Sequence, residues 1–194
     1  MQVLSNSIQI VHCLLKEILS DAQIVVDATA GNGYDTLFLA QNASTKTHIY
    51  AFDIQKQAIF NAKEMILNNE HSLKIPLNNV QFINDSHERI DEYVSDFIDV
   101  AIFNLGYLPG GNHEYTTKND ITMKTLQRFI NKLKINGHLA IVMYPGHEEG
   151  LKEYQAIELW AKDLMKKSFT VGWYKMVNHN FNAPTLCWIE KVGE

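Results

Sequence analysis

Ile24-Val25-Val26-Asp27-Ala28-Thr29-Ala30-Gly31-Asn32-Gly33-Tyr34-Asp35-Thr36 decides the reading of this chain. An apolar run ends in an acid, passes through a Gly-x-Gly turn and enters a helical pattern. Glycines in such a turn let the backbone approach a ligand closely, and the start of the helix offers free N–H groups. A second apolar run, Thr47-His48-Ile49-Tyr50-Ala51-Phe52-Asp53, again ends in an acid. A carboxylate at that point can hold both hydroxyls of a ribose. Together the two segments point to an enzyme that binds a nucleoside cofactor.

The rest of the chain switches between two periodicities. Residues 5–19 set Ile8, Ile10, Val11, Leu14, Leu15, Ile18 and Leu19 at helical spacing. Apolar runs predict strands at 23–27, 47–53, 80–84, 97–103, 137–143, 169–177 and 185–190. Helical spacing predicts helices at 35–42, 55–68, around 90–94, 120–133 and 148–164. Strands alternating with helices build a parallel sheet covered on both faces. The last two strands have no helix between them and are expected to form an antiparallel hairpin. The expected fold is therefore α/β and Rossmann-like: a seven-stranded sheet with the last strand antiparallel and helices on both faces, the pattern of class I methyltransferases. The alternative is a true dinucleotide-binding domain. That usually carries a third glycine where Thr36 stands, and it needs a second domain for which 194 residues leave little room.

At 46% hydrophobic, residues 1–194 are expected to form one domain with a sizeable core. The net charge of −5 argues against a protein that coats nucleic acid nonspecifically. It leaves room for local contact with a folded RNA through a small basic or aromatic patch. Cys13 and Cys187 sit in apolar patterns and read as two buried free thiols. No run reaches the length of a membrane span, and the N-terminus lacks the pattern of a secretion signal. A cytoplasmic protein without a membrane partner is expected. The oligomeric state stays open, with a homodimer among the arrangements allowed.

The loop from Asp27 to Thr36 resembles the first motif of S-adenosylmethionine-dependent methyltransferases. By that resemblance Asp27, Thr29, Gly31, Asn32 and Gly33 are cofactor-binding candidates, with the glycine backbone near the methionine end. Asp53 would bind the ribose, with Gln55 beside it near the adenine; Asp53 could equally cap the next helix. Asp85-Ser86-His87 follows the third strand, at a corner that in this fold approaches the adenine. Asp85 or Ser86 could also cap the helix after it.

Phe103-Asn104-Leu105-Gly106-Tyr107-Leu108-Pro109-Gly110-Gly111 follows the fourth strand and bears on reaction type. It looks like a variant of the Asn/Asp-Pro-Pro-Tyr/Phe motif of methyltransferases acting on nitrogen, with Leu105-Gly106 in place of Pro-Pro. In that motif the Asn side chain and nearby carbonyls accept hydrogen bonds from an amino group, aiming its lone pair at the methyl carbon. Asn104 and Tyr107 are the catalytic candidates, although a turn closing the strand would use them too. Leu105, Gly106 and His147 are substrate-binding candidates, together with Asn178, His179 and Phe181 from the loop 178–184. That loop is expected to overhang the site, and its amide, imidazole and aromatic groups suit a nucleotide; an ordinary polar hairpin loop is the bland reading. No metal site is expected, because His113-Glu114 and His147-Glu148 lack matching ligands. Ser86-His87 is no triad, and no nucleophile elbow occurs. His12 and His48 read as structural or surface residues.

The segments 27–36, 50–55, 103–111 and Gly146-His147-Glu148-Glu149-Gly150 jointly resemble a small bacterial family. Its members, long labelled rRNA methylases, are associated with tRNA 5-(aminomethyl)-2-thiouridine methyltransferase activity at the wobble position. The family often continues Gly-Gly with Asp-Lys; here Asn112-His113 stands instead. The resemblance implies S-adenosylmethionine as cofactor and a tRNA anticodon stem-loop as partner. It implies methyl transfer to the primary amine of the 5-aminomethyl substituent. Such an amine is largely protonated at neutral pH, and a desolvating site favours its neutral form. A base is not obligatory; His147 and His179 are candidates. The rival readings are a methyltransferase acting on rRNA or a small molecule, and a cofactor-binding protein without catalysis.

Overall fold

The computed structural model describes residues 6–106, 119–180 and 182–194. Tyr107 and Phe181 lie outside these, as do the segments 108–111 and 112–113 singled out above. The strands are β1 (Ile24–Asp27), β2 (His48–Phe52), β3 (Val80–Ile83), β4 (Ile98–Leu105), β5 (Leu133–Met143), β6 (Phe169–Tyr174) and β7 (Thr185–Lys191). The helices are α1 (Ser7–Ile18), α2 (Tyr34–Asn42), α3 (Lys56–Asn68), α4 (Ile90–Tyr93), α5 (Asn119–Lys132) and α6 (Glu148–Asp163).

The sheet order is β3-β2-β1-β4-β5-β7-β6. β1 to β5 pair in parallel, and β7 runs antiparallel to both neighbours. This is the class I methyltransferase arrangement expected from the sequence. Every residue of β1 is buried, as a central strand covered on both faces requires. Alternate residues of β4 enter two separate cores. Ala101, Phe103 and Leu105 pack with Phe129 of α5 and Ile157 of α6. Val100 and Ile102 pack on the other face with Leu15 of α1, Leu39 of α2 and Ile66 of α3.

Several boundaries differ from expectation for visible reasons. β4 continues to Leu105 because β5 offers partners as far as Met143, so Asn104 and Leu105 belong to the strand. β5 starts at Leu133 through a register break opposite Ile98, and Asn136 there takes φ 64°. β6 ends at Tyr174, since its partner β7 begins only one residue before Leu186, which pairs with Tyr174. Cys187 is buried as expected, and burial pushes its thiol up to about 12. Cys13 is not: it lies exposed, because α1 turns Ile10, Val11 and Leu15 to the core and leaves position 13 on the outward side.

Strand order reverses between β1 and β4, so the chain leaves these two strands in opposite directions and opens a crevice at their carboxyl ends. Gly33 sits at the start of α2 in this crevice with φ 84°. A Cβ on it would lie 2.7 Å from the Cα of Ala62, so only glycine lets α2 enter this close to α3.

Candidate active site

The crevice is tied together by short polar bonds. Asp27, fully buried at the end of β1, accepts the Thr29 N–H at 3.1 Å and the Thr36 hydroxyl at 2.6 Å. Burial, reinforced by the nearby Asp35 charge, pushes its carboxyl up to about 7. Thr29 Oγ1 in turn accepts the backbone N–H of Asn104 at 2.7 Å, joining the ends of β1 and β4. Half-buried Asp53 accepts the N–H of Gly31 at 3.0 Å and that of Gln55 at 2.9 Å. Desolvation holds its carboxyl above the ordinary range. Asn32 Oδ1 accepts from Asn61 of α3 at 2.9 Å. His87 Nδ1 lies 2.8 Å from the Ala28 carbonyl. A carbonyl can only accept, so Nδ1 carries the hydrogen. Burial lowers this imidazole's pKa, which keeps it neutral and leaves Nε2 as an acceptor.

A second set of bonds surrounds the Asn104 side chain. Its Nδ2 donates to Asp35 Oδ2 at 3.3 Å, and it also bonds the Tyr144 hydroxyl. Burial, with the Asp35 charge adding to it, raises the Tyr144 phenol. The other oxygen of Asp35 lies 2.8 Å from His12 Nε2 on α1. His12 stacks on Phe38 of α2, ring centroids 3.7 Å apart. From the sequence alone His12 reads as a structural or surface residue, and neither Asp35 nor Tyr144 stands out with a role of its own. Asp35 carried a signal: an acid on the first turn of a helix, next to the glycine turn, that the fold buries to 9% exposure.

The rim is built from the ends of β5 and β6. The Tyr144 ring packs on Gly106, where a Cβ would approach it to 3.1 Å. His147 caps α6, its Nδ1 accepting the Gly150 N–H at 3.0 Å. The loop after β6 returns to this edge: Asn182 packs against Gly146, and the Ser7 hydroxyl donates to the Pro184 carbonyl at 2.6 Å. Asn178, His179, Asn180, Asn182 and Ala183 line an open pocket of about 490 Å³ there.

Bonds and packing thus bring together Asp27, Thr29, Gly31, Asn32, Gly33, Asp53, Gln55, His87 and Asn104. Asp85 and Ser86 make local bonds. Asp85 accepts from the Tyr93 hydroxyl at 2.7 Å and from Arg89 at 2.8 Å, and Ser86 Oγ caps the turn at Glu88. Leu105 is buried in the core, so what it offers the crevice is backbone. Among the described residues no group of three His, Cys, Asp or Glu side chains is placed to hold a metal, and no helix is long and apolar enough to cross a membrane.

Residues 49–190 match the family model described as "Putative rRNA methylase". The chain belongs to this family. The matched span of the methylase family takes in Asp53, Asn104 and Tyr144. The chain is also 30% identical, over 94% of its length and 68% of the relative's, to the Arabidopsis thaliana protein named "tRNA (mnm(5)s(2)U34)-methyltransferase, chloroplastic". Two solved structures share the fold of this methylase closely. A Clostridium thermocellum protein described as a "putative rRNA-methylase" superposes with a TM-score of 0.89 at 31% identity, over 97% of this chain and 98% of that one. A Streptococcus mutans protein described as "a putative methyltransferase", solved in complex with SAH, superposes with a TM-score of 0.84 at 36% identity, over 97% and 99%.

Proposed function

We propose that this methylase transfers a methyl group from S-adenosylmethionine to the primary amine of 5-aminomethyl-(2-thio)uridine at the wobble position of tRNA. The observation that carries the reading is the setting of Asn104. A carboxylate can only accept, so the Asp35 bond fixes the amide nitrogen inward and turns the carbonyl oxygen of Asn104 away from it. A fixed acceptor at the end of β4, bonded through its backbone to the turn after β1, is what an amine needs to be held in one orientation. The Arabidopsis relative's name supports the choice of amine and RNA, and the SAH bound to the Streptococcus relative supports the cofactor.

The residues present fit that cofactor. Each Asp53 oxygen accepts one backbone N–H, and a carboxylate oxygen has a further lone pair, so the pair can still take a ribose diol. His87 Nε2 suits the exocyclic amine of adenine. The Gly31-Asn32-Gly33 backbone would face the methionine end. The cofactor supplies an already activated sulfonium methyl. The chain's own task is then to orient the amine, hold it free of its proton and exclude water. Asn104 orients it, Tyr144 and Gly106 wall the crevice, and the loop 178–184 meets the nucleotide.

The test is nucleoside mass analysis of tRNA from a strain lacking the gene, followed by methyl transfer to that tRNA with purified protein. Accumulated 5-aminomethyl-2-thiouridine, converted in vitro to the methylaminomethyl form, is the expected result. Unchanged tRNA together with a missing methyl on rRNA would move the substrate to the ribosome.

A further inference from the structure

Net methylation of an ammonium releases one proton, and among the described residues around Asn104 one acid is placed to take it. Asp35 is buried at the start of α2 and is bonded to Asn104 through one oxygen and to His12 through the other. The first oxygen accepts at 3.3 Å, a long bond that leaves it room for a stronger donor. The second is held at 2.8 Å by a ring that is itself stacked on Phe38, so the carboxylate cannot swing away. His12 comes from α1, an element outside the strand-helix alternation, and it reaches the crevice because α1 packs along β5 and β7.

We propose that Asp35 accepts the proton of the substrate ammonium and that His12 is the residue that positions it, an inference that rests on the amine methylation proposed above. One N–H bond of the ammonium breaks and its hydrogen goes to Asp35 Oδ2. The electron pair left on nitrogen, turned by rotation about the C–N bond, forms the new N–C bond as the C–S pair goes to sulfur. Asp35 gives its proton to water when the product leaves. Other ionisable groups that bear on Asp35 are His12 from α1, Asp27 from β1 and Tyr144 after β5. The Asp27 carboxyl is taken up by the Thr29 N–H and the Thr36 hydroxyl, and Tyr144 is a phenol whose acidity burial weakens. Of these groups only Asp35 is a carboxylate bonded to the Asn104 side chain.

The test compares wild type, Asp35→Asn, His12→Gln and His12→Leu in single turnovers on tRNA from the deletion strain. Saturating cofactor is used, from about pH 6.5 to about pH 9.5, approaching the ordinary amine range. Asp35→Asn should be about 100-fold slow near neutral pH, a usual loss for a missing proton acceptor. It should recover about tenfold per pH unit as the amine loses its proton unaided. His12→Leu should share that alkaline recovery, while His12→Gln, which keeps a donor, should stay within about fivefold of wild type. Calorimetry should show cofactor affinity retained in all three. A defect of Asp35→Asn that is constant across pH, or absent, overturns the proposal. If Asp35→Asn does not fold, His12→Leu decides by the same criterion. If wild type leaves the amine unmethylated, the functional reading itself falls and this inference with it. If wild type works and only the pH signature fails, the functional reading stands.

Discussion

Asp53 Oδ2 accepts the Gly31 N–H at 3.0 Å, so the acid that ends β2 and the glycine turn after β1 form one unit. Asp53→Ala removes the brace of that turn and the proposed acceptor for the ribose diol. We expect S-adenosylmethionine to bind roughly tenfold to a hundredfold more weakly, since a hydrogen bond to a charged group is worth about 1.5–3 kcal/mol. Calorimetry measures this. Unchanged affinity in a folded variant would remove Asp53 from the site.

Asn104→Ala should keep near-normal cofactor affinity and lose most methyl transfer. Its backbone bond to Thr29 survives the substitution, so the crevice should hold its shape. What goes is the side-chain acceptor proposed for the amine. Single-turnover rates on substrate tRNA decide, and a rate near wild type would sink the orienting role.

Asp27 should make the fold less stable as pH rises. Its carboxyl titrates at about 7 in the folded chain against an ordinary value of 3.8. Between those two pH values the folded state holds a proton that the unfolded state has lost. Stability therefore falls as pH climbs from the lower value through the higher one. Asp27→Asn cannot ionise and should escape the fall. Relative to wild type, the variant should gain on the order of 4 kcal/mol between acid and mildly alkaline solution, at about 1.36 kcal/mol per unit. Urea unfolding at a series of pH values tests this; a difference that does not change with pH would mean that Asp27 is ionised throughout.

RNA binding should depend only weakly on salt. A net charge of −5 argues against a broad cationic face, so few phosphates should be neutralised and the slope should be shallow. On the proposed function, recognition should then fall to stacking and edge contacts with an exposed wobble base, through Tyr107 and the loop 178–184. An anticodon stem-loop alone should be a substrate. Replacing His179 and Phe181 with alanine should hurt RNA use far more than cofactor binding. A steep salt slope on whole tRNA with an inert stem-loop would show that the enzyme reads the tRNA body.

The parts of this picture legible in the sequence are those carried by local pattern. Asp27, Gly31, Gly33 and Asp53 sit at strand ends whose apolar runs announce them, and the chain order of strands and helices leads to the sheet. The His12–Asp35–Asn104–Tyr144 cluster is not local. Its members lie on α1, α2, β4 and the segment after β5, and each looks ordinary in its own neighbourhood. His12 sits between apolar residues of an amphipathic helix, where a polar surface group is the simpler reading. Asp85 shows the opposite case. Its place after β3 suggests a ligand, and the structure adds local partners the pattern does not announce: Tyr93 and Arg89 on Oδ2 and the Ser86 N–H on Oδ1.

β7 lies between β5 and β6 in space but follows both in the chain. A growing polypeptide therefore exposes β6 before the strand that pairs with it has been made. At ordinary translation speeds the wait is on the order of a second. During it, the edge of β5 and the whole of β6 carry unpaired backbone groups, which invite pairing with other chains. Leu186, Cys187 and Ile189 then enter the two cores together, as residues 185–191 slot into the gap. The sheet closes from the middle of its last half, and a ribosome stalled short of that strand would leave a two-edged, aggregation-prone nascent chain.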